Sequence, residues 1–143
     1  MTGYELGRLG EIYILDLLRQ AGLDAQPCDR GADIVIRDSG LLVEVKSARL
    51  SRRARCRGRR YQFSLYRAQN GQVKTDARRA DLTVLLCYNG KPTPTALFAI
   101  PRGRLGNRRH LAIPGNLAGY VGQWSWFKGW GRAVNEILGG LGL

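Results

Sequence analysis

No stretch of this chain approaches the ~20 consecutive apolar residues needed to span a bilayer, so no membrane-spanning helix is expected. The start carries Glu5 and Glu11 and lacks the basic-then-apolar order of a secretory leader. Cysteine is sparse. Cys28, Cys56 and Cys87 lie far apart and form no CxxC pair, which argues against a zinc site and for a reducing, cytoplasmic setting. No internal repeat occurs, and no clear extra module is present, so the 143 residues read as one domain, 1–143. Acidic residues are few: 11 Asp and Glu stand against 23 Lys and Arg, for a net charge of +12. Such a chain expects a polyanion, nucleic acid first and an anionic membrane surface second.

The elements follow from hydrophobic period. Residues 4–21 read as a helix with Leu6, Leu9, Tyr13, Leu15, Leu17 and Leu18 on broad apolar arcs, stopped at Gly22. Leu23 to Cys28 is a first strand, and 33–46 supplies two more. Tyr61 to Leu65 alternates as a strand does. Asn70-Gly71 is a turn, and Val73 to Ala80 is expected as a short helix. Leu82 to Tyr88 is a nearly continuous apolar run, the pattern of a strand buried on both faces. Asn89-Gly90 turns the chain into a strand at Thr95 to Ile100, stopped by Pro101. Residues 102–119 look irregular, and 120–138 is expected to hold one or two short helices. The fold class is α/β, a central mixed β-sheet flanked by helices.

The segment Asp33 to Lys46 concentrates the chemistry. In Leu42-Val43-Glu44-Val45-Lys46 side chains alternate, so Glu44 and Lys46 share one face and Val43 and Val45 the other. A two-residue turn at Ser39-Gly40 would pair 36 with 43, 34 with 45 and 33 with 46. Ile34, Ile36, Val43 and Val45 then form an apolar face. Asp33 lies beside Lys46 and diagonal to Glu44 on the other. A one-residue slip would put Asp33 on the apolar face. Two carboxylates and an ammonium so close call for a compensating cation and a phosphate. Magnesium, with manganese expected to substitute, takes oxygen ligands, here from Asp33, Glu44 and the Val45 carbonyl. Lys46 would orient or deprotonate a water and contact the scissile phosphate. The expectation is a metal-dependent nuclease acting on DNA.

Glu11 borders the apolar face of the helix and needs a partner, either the metal site or Arg8. Gly7 and Gly10 would admit something close to the helix. The basic segment 47–60 begins beside Lys46. Arg49, Arg52, Arg53, Arg55, Arg57, Arg59 and Arg60 make it too dense in charge to pack in a core, and DNA contact is expected of it. Arg8, Ser47, Gln62, Lys74 and Arg78 are further candidates for substrate contact, Lys74 and Arg78 as neighbours on one helix face. A second basic patch runs from Arg102 through Arg104, Arg108 and Arg109 to His110. Tyr120, Trp124, Trp126, Phe127 and Trp130 form an aromatic C-terminal region, read as a core-capping helix or a dimer interface.

Glu11 on an N-terminal helix, then Asp33, then Glu44-Val45-Lys46 resembles the PD-(D/E)xK, or restriction-endonuclease-like, nucleases. The Gly7-Arg8-Leu9-Gly10-Glu11 opening and the Leu42 to Ser47 strand look most like Holliday junction resolvases of the archaeal and phage type. The resemblance covers about residues 3–100. It implies a restriction-endonuclease-like core and catalytic roles for Glu11, Asp33, Glu44 and Lys46. Glu11 would be an auxiliary acid and a further metal ligand. It also implies magnesium, a homodimer, branched or junction DNA as substrate, and action in the cytoplasm, a phage host's included. Ala32 stands where the motif has Pro. The run ending at Tyr88, with Phe98-Ala-Ile-Pro101, also looks like small intron-encoded homing endonucleases of the same superfamily. A non-catalytic DNA-binding protein is the reading of another class.

Overall fold

The computed structural model describes residues 1–28, 31–51, 59–114 and 125–126. Helix α1 (Gly3–Gln20) opens on a capping box. Thr2 Oγ1 accepts from Glu5 N, and Glu5 Oε2 accepts from Thr2 N. Two of the four orphan donors at the helix start are thereby satisfied. Leu6, Gly10, Ile14 and Leu18, four apart, form its buried stripe. Gly22, at φ 86°, ends it as expected.

Among the described residues, six strands form the central sheet in the order β1 (Ala25–Pro27), β2 (Ile34–Ile36), β3 (Leu41–Arg49), β7 (Leu82–Tyr88), β8 (Ala96–Pro101) and β10 (Ser125–Trp126). Only β3 and β7 run parallel; the other pairs are antiparallel. All seven residues of β7 are buried, as its nearly continuous apolar run requires of a central strand. Asp81 sets its register. Its carboxylate accepts from Leu42 N at 2.8 Å, and its own N–H donates to Leu42 O, so Thr83 falls opposite Glu44.

The sheet separates two apolar clusters. On one face α1 lays Leu6, Ile14 and Leu18 against Ile34, Ile36, Val43, Val45, Val84 and Leu86. On the other, Leu85, Cys87, Phe98 and Ile100 pack under Tyr61, Phe63 and Ile113. That cover is a two-stranded ribbon of β4 (Arg60–Ser64) and β9 (His110–Pro114), where flanking helices were expected. Alternation explains it: Tyr61 and Phe63 point inward while Gln62 and Ser64 are exposed. The irregular stretch expected over 102–119 therefore contains a strand.

Three further expectations are corrected. The helix expected over Val73 to Ala80 is instead strand β6 (Gln72–Asp76) followed by one 3₁₀ turn, Ala77–Arg79. Strand β6 pairs with β5 (Tyr66–Gln69) around Asn70-Gly71, both at positive φ (53° and 76°). That is the two-residue turn Asn-Gly favours. In the expected helical region 120–138, Ser125–Trp126 are instead a short strand on β8. Tyr120, Trp124, Phe127 and Trp130 lie outside the described residues.

The third is the hairpin register. Ile34 pairs with Val43 and Ile36 with Leu41, two residues from expectation. A two-residue turn would need positive φ at Ser39, a non-glycine; among residues 37–40 only Gly40 has it, at 73°. The chain instead uses a four-residue loop, closed by Gly40 N donating to Ile36 O at 2.8 Å. A shift of two conserves parity, so the apolar and acidic faces survive as expected.

Candidate active site

Continuing the observed register by one residue sets Asp33 opposite Glu44, not Lys46. Strand β2 starts only at Ile34, so the Val45 N–H has no strand partner there. Asp33 Oδ2 accepts from it at 2.8 Å. Asp33 N in turn donates to Val43 O at 3.1 Å, and Asp33 O accepts from Cys28 N at 2.9 Å. The carboxylate is thus held by its own backbone and by β3. The N–H and C=O of a strand residue point to the same edge, so the Val45 carbonyl faces the gap Asp33 occupies.

Glu44 is 5% exposed, the one buried carboxylate of the sheet among the described residues. Lys46 Nζ stands 3.4 Å from its Oε1. That pairing does not compensate it fully. Burial, and then the negative charge of Asp33, push the Glu44 carboxyl up to about 7, against the opposing pull of Lys46. Glu11 belongs to the same cluster. Its pKa is also raised, first by burial and next by Asp33, which is close enough to be a hydrogen-bond neighbour. Arg8 opposes the rise through an ion pair at 3.2 Å. The two partners considered for Glu11, Arg8 and the acidic site, are both present.

Helix α1 reaches the site because Gly10 lets it lie on β3. A Cβ at Gly10 would fall 2.2 Å from Ser47 Oγ and 3.1 Å from Leu86 Cδ1. What approaches the helix there is the sheet itself; nothing lies within 4 Å of a Cβ at Gly7. Ser47 is thereby placed on the face opposite Lys46. Its hydroxyl is buried under the helix without a hydrogen-bond partner. The phosphate contact expected of Ser47 is withdrawn on that ground.

The other substrate candidates divide. Arg49 ends β3 and donates to the Met1 carbonyl. Arg52, Arg53, Arg55 and Arg57 lie outside the described residues. The stem of their segment is closed by Ser51 N donating to Arg60 O and by a bridge from Leu50 to Tyr61. Arg59 and Gln62 are exposed. Lys74 lies on strand β6, so it shares no helix face with Arg78. Arg78 turns inward instead. Its Nε and Nη2 hold the two Asp76 oxygens at 2.7 and 2.9 Å, and its guanidinium stacks 5.0 Å from the Tyr66 ring centre. Arg109 stacks on the same ring at 4.7 Å. The Arg78 bonds hold Asp76 below the usual carboxylate range. Tyr66, Asp76 and Thr83 were not singled out from the sequence. The Asn-Gly turn flanked by alternating residues was the signal that could have found this ribbon.

No family model and no curated protein matches the chain. Among solved structures, the chain is similar to a bacterial homing endonuclease, I-Ssp6803I, at 15% identity and a TM-score of 0.53. The match covers 77% of this chain and 76% of that one. The α/β core with its mixed sheet is therefore a fold found in an endonuclease. No described helix is long and apolar enough to cross a membrane.

Proposed function

We propose that this protein is a divalent-metal-dependent DNA endonuclease that cuts duplex DNA at a preferred sequence. The observation that carries the reading is the Asp33–Glu44–Lys46 cluster on β3 where its pairing with β2 ends, with Glu11 beside it. Three carboxylates face one ammonium and one paired guanidinium. Burial, and then the negative charge of Asp33, raise Glu11 and Glu44, as expected of a cation site without its cation.

The donor set fits magnesium or manganese. It is all oxygen; among the described residues no three His, Cys, Asp or Glu are placed to hold a metal by themselves, so water and substrate phosphate would have to complete the shell. Magnesium is commonly held by one or two carboxylates, with waters and substrate phosphate completing the shell. Asp33, Glu44 and the Val45 carbonyl would hold it, with Glu11 beside Asp33 as a further carboxylate. When bound, the ion would lower the pKa of a water and offset charge on the phosphate. The residues do the rest. Asp33 is held in place by the Val45 N–H. Lys46 Nζ offsets charge at Glu44 and would contact the scissile phosphate. Glu11, its carboxyl raised by burial and by Asp33, would exchange a proton with that water.

The likeness to a homing endonuclease supports the sequence-selective reading over junction resolution. The exposed β5–β6 ribbon, which the sequence alone did not reveal, is compatible with that reading. The second reading, a junction resolvase, rests on the Gly7 to Glu11 opening. A double-strand cut by a one-site chain takes two copies, so we include a homodimer in the proposal. Incubation with four-way junctions and with a duplex library, each with Mg²⁺ or EDTA, decides between them. Mg²⁺-dependent cutting of duplex at a recurrent sequence is expected. Symmetric nicking of junctions alone would move the assignment to a resolvase, and no cutting of either leaves a DNA-binding protein.

A further inference from the structure

The most exposed regular element described is the β5–β6 ribbon. From Arg67 to Val73 every residue is exposed, Val73 at 41%. So exposed a tip gains little stability from packing, and so small a hairpin is not stable alone. It is held at its foot. Ala77 N donates to Leu65 O, and Leu65 N to Arg109 O, both at 2.8 Å. The Tyr66 ring lies against Arg78 and Arg109, and Asp76 opposite it is bonded by Arg78.

The foot also ties the ribbon to the reacting end of the sheet. Thr83 Oγ1 donates to Ala77 O at 3.0 Å, and Thr83 is the residue paired with Glu44 across β3 and β7. The ribbon therefore projects from a point one strand away from the catalytic carboxylate.

Its surface is chemically sorted. Opposed residues share a face, so Arg67, Gln69 and Gln72 fall on one side, and Tyr66, Ala68 and Val73 on the other. Its one carboxylate, Asp76, is enclosed at the foot by Arg78 and Arg79. A positively charged two-stranded ribbon about 16 Å long fits the major groove, which is about 12 Å wide. Arginine pairs with guanine O6 and N7, and glutamine with adenine N6 and N7.

We propose that the β5–β6 ribbon is the base-reading arm of this protein, inserting Arg67, Gln69 and Gln72 into the major groove of duplex DNA beside the cut site. This rests on the endonuclease reading and adds which residues select the sequence. The arm's clamp, Asp76–Arg78–Tyr66–Arg109, positions it and does not itself read bases.

The test is selection from a randomised duplex library under EDTA, where binding proceeds without cutting. The wild type is compared with the Arg67→Ala/Gln69→Ala/Gln72→Ala variant and with Gln69→Arg. All three residues are exposed, so an unchanged unfolding temperature checks that the variants fold. The wild type is expected to enrich a sequence, and the triple variant to lose preference about 10-fold or more at two or three adjacent positions. Gln69→Arg should exchange adenine for guanine at one of them. If both variants enrich the wild-type sequence with equal preference, the arm is wrong and the endonuclease reading stands. Duplex binding by the wild type with no enrichment also overturns the arm. If the wild type neither binds duplex nor cuts it with Mg²⁺, both readings fall.

Discussion

The raised Glu44 carboxyl makes a stability prediction that needs no DNA. In the folded, metal-free protein Glu44 titrates at about 7 rather than 4.5, because it is buried beside Asp33. A raised folded-state pKa means that the folded state binds the proton more tightly than the unfolded chain does. Its stabilising contribution is complete below about 4.5 and is lost as pH rises through about 7. At about 1.4 kcal/mol per unit the full effect is about 3 kcal/mol, of which about 2–3 falls between pH 5 and pH 8. Glu44→Gln keeps the shape and removes the titration. Urea unfolding of both proteins in EDTA at pH 5 and pH 8 is the assay. The wild type should lose about 2–3 kcal/mol relative to the variant, roughly 6–10 °C in melting temperature for a chain of this size. Saturating Mg²⁺ at pH 8 should restore the wild type by about 3 kcal/mol at a hundredfold excess over Kd, and should restore the variant less. A wild-type loss below about 0.5 kcal/mol would refute the reasoning: Glu44 would then not be a desolvated carboxylate facing Asp33.

Asp33→Asn should abolish Mg²⁺-dependent cleavage while DNA binding persists. The same change should reduce, without abolishing, the pH dependence of unfolding, since Asp33 is the second cause, after burial, of the rise at both Glu11 and Glu44; normal cutting would reject its role. Gly10→Ala should destabilise by about 1–3 kcal/mol, because its Cβ meets Ser47 Oγ at 2.2 Å, and should slow cleavage by lifting Glu11 away. Adding Ser47→Gly should recover part of the loss; denaturant titration and a cleavage time course read both effects. Asp76→Ala removes the two bonds that Arg78 Nε and Nη2 make at the ribbon foot and should cost about 1–3 kcal/mol near neutral pH. Because Asp76 is held low, that difference should shrink only as pH falls below about 4 in an acid titration.

Local pattern carried a large part of the site. Glu44 and Lys46 share a face because alternation permits nothing else. Asp33 joined them because Ile34 and Ile36 had to be buried. The helix ended at Gly22, and β7 was legible in seven consecutive apolar or small residues. Loop length was less legible: Ser39-Gly40 looked like a turn in isolation, and only Ser39's reluctance to take positive φ lengthened it. Val73 to Ala80 was misassigned because short segments of mixed propensity are decided by their partners, here β5 and the Asp76–Arg78 clamp.

The sequence alone determined which side of each element is apolar, and hence the α/β class, the basic surface and the acidic face of the Asp33 to Lys46 hairpin. Those properties depend on residue type and period. Tertiary structure decided the rest. It set Asp33 opposite Glu44, buried Ser47 under Gly10, replaced an expected helical layer with the β4–β9 ribbon and raised the β5–β6 arm beside Glu44. Each of these depends on distances between residues far apart in the chain, and burial and charge, unlike period, act only when the chain has closed.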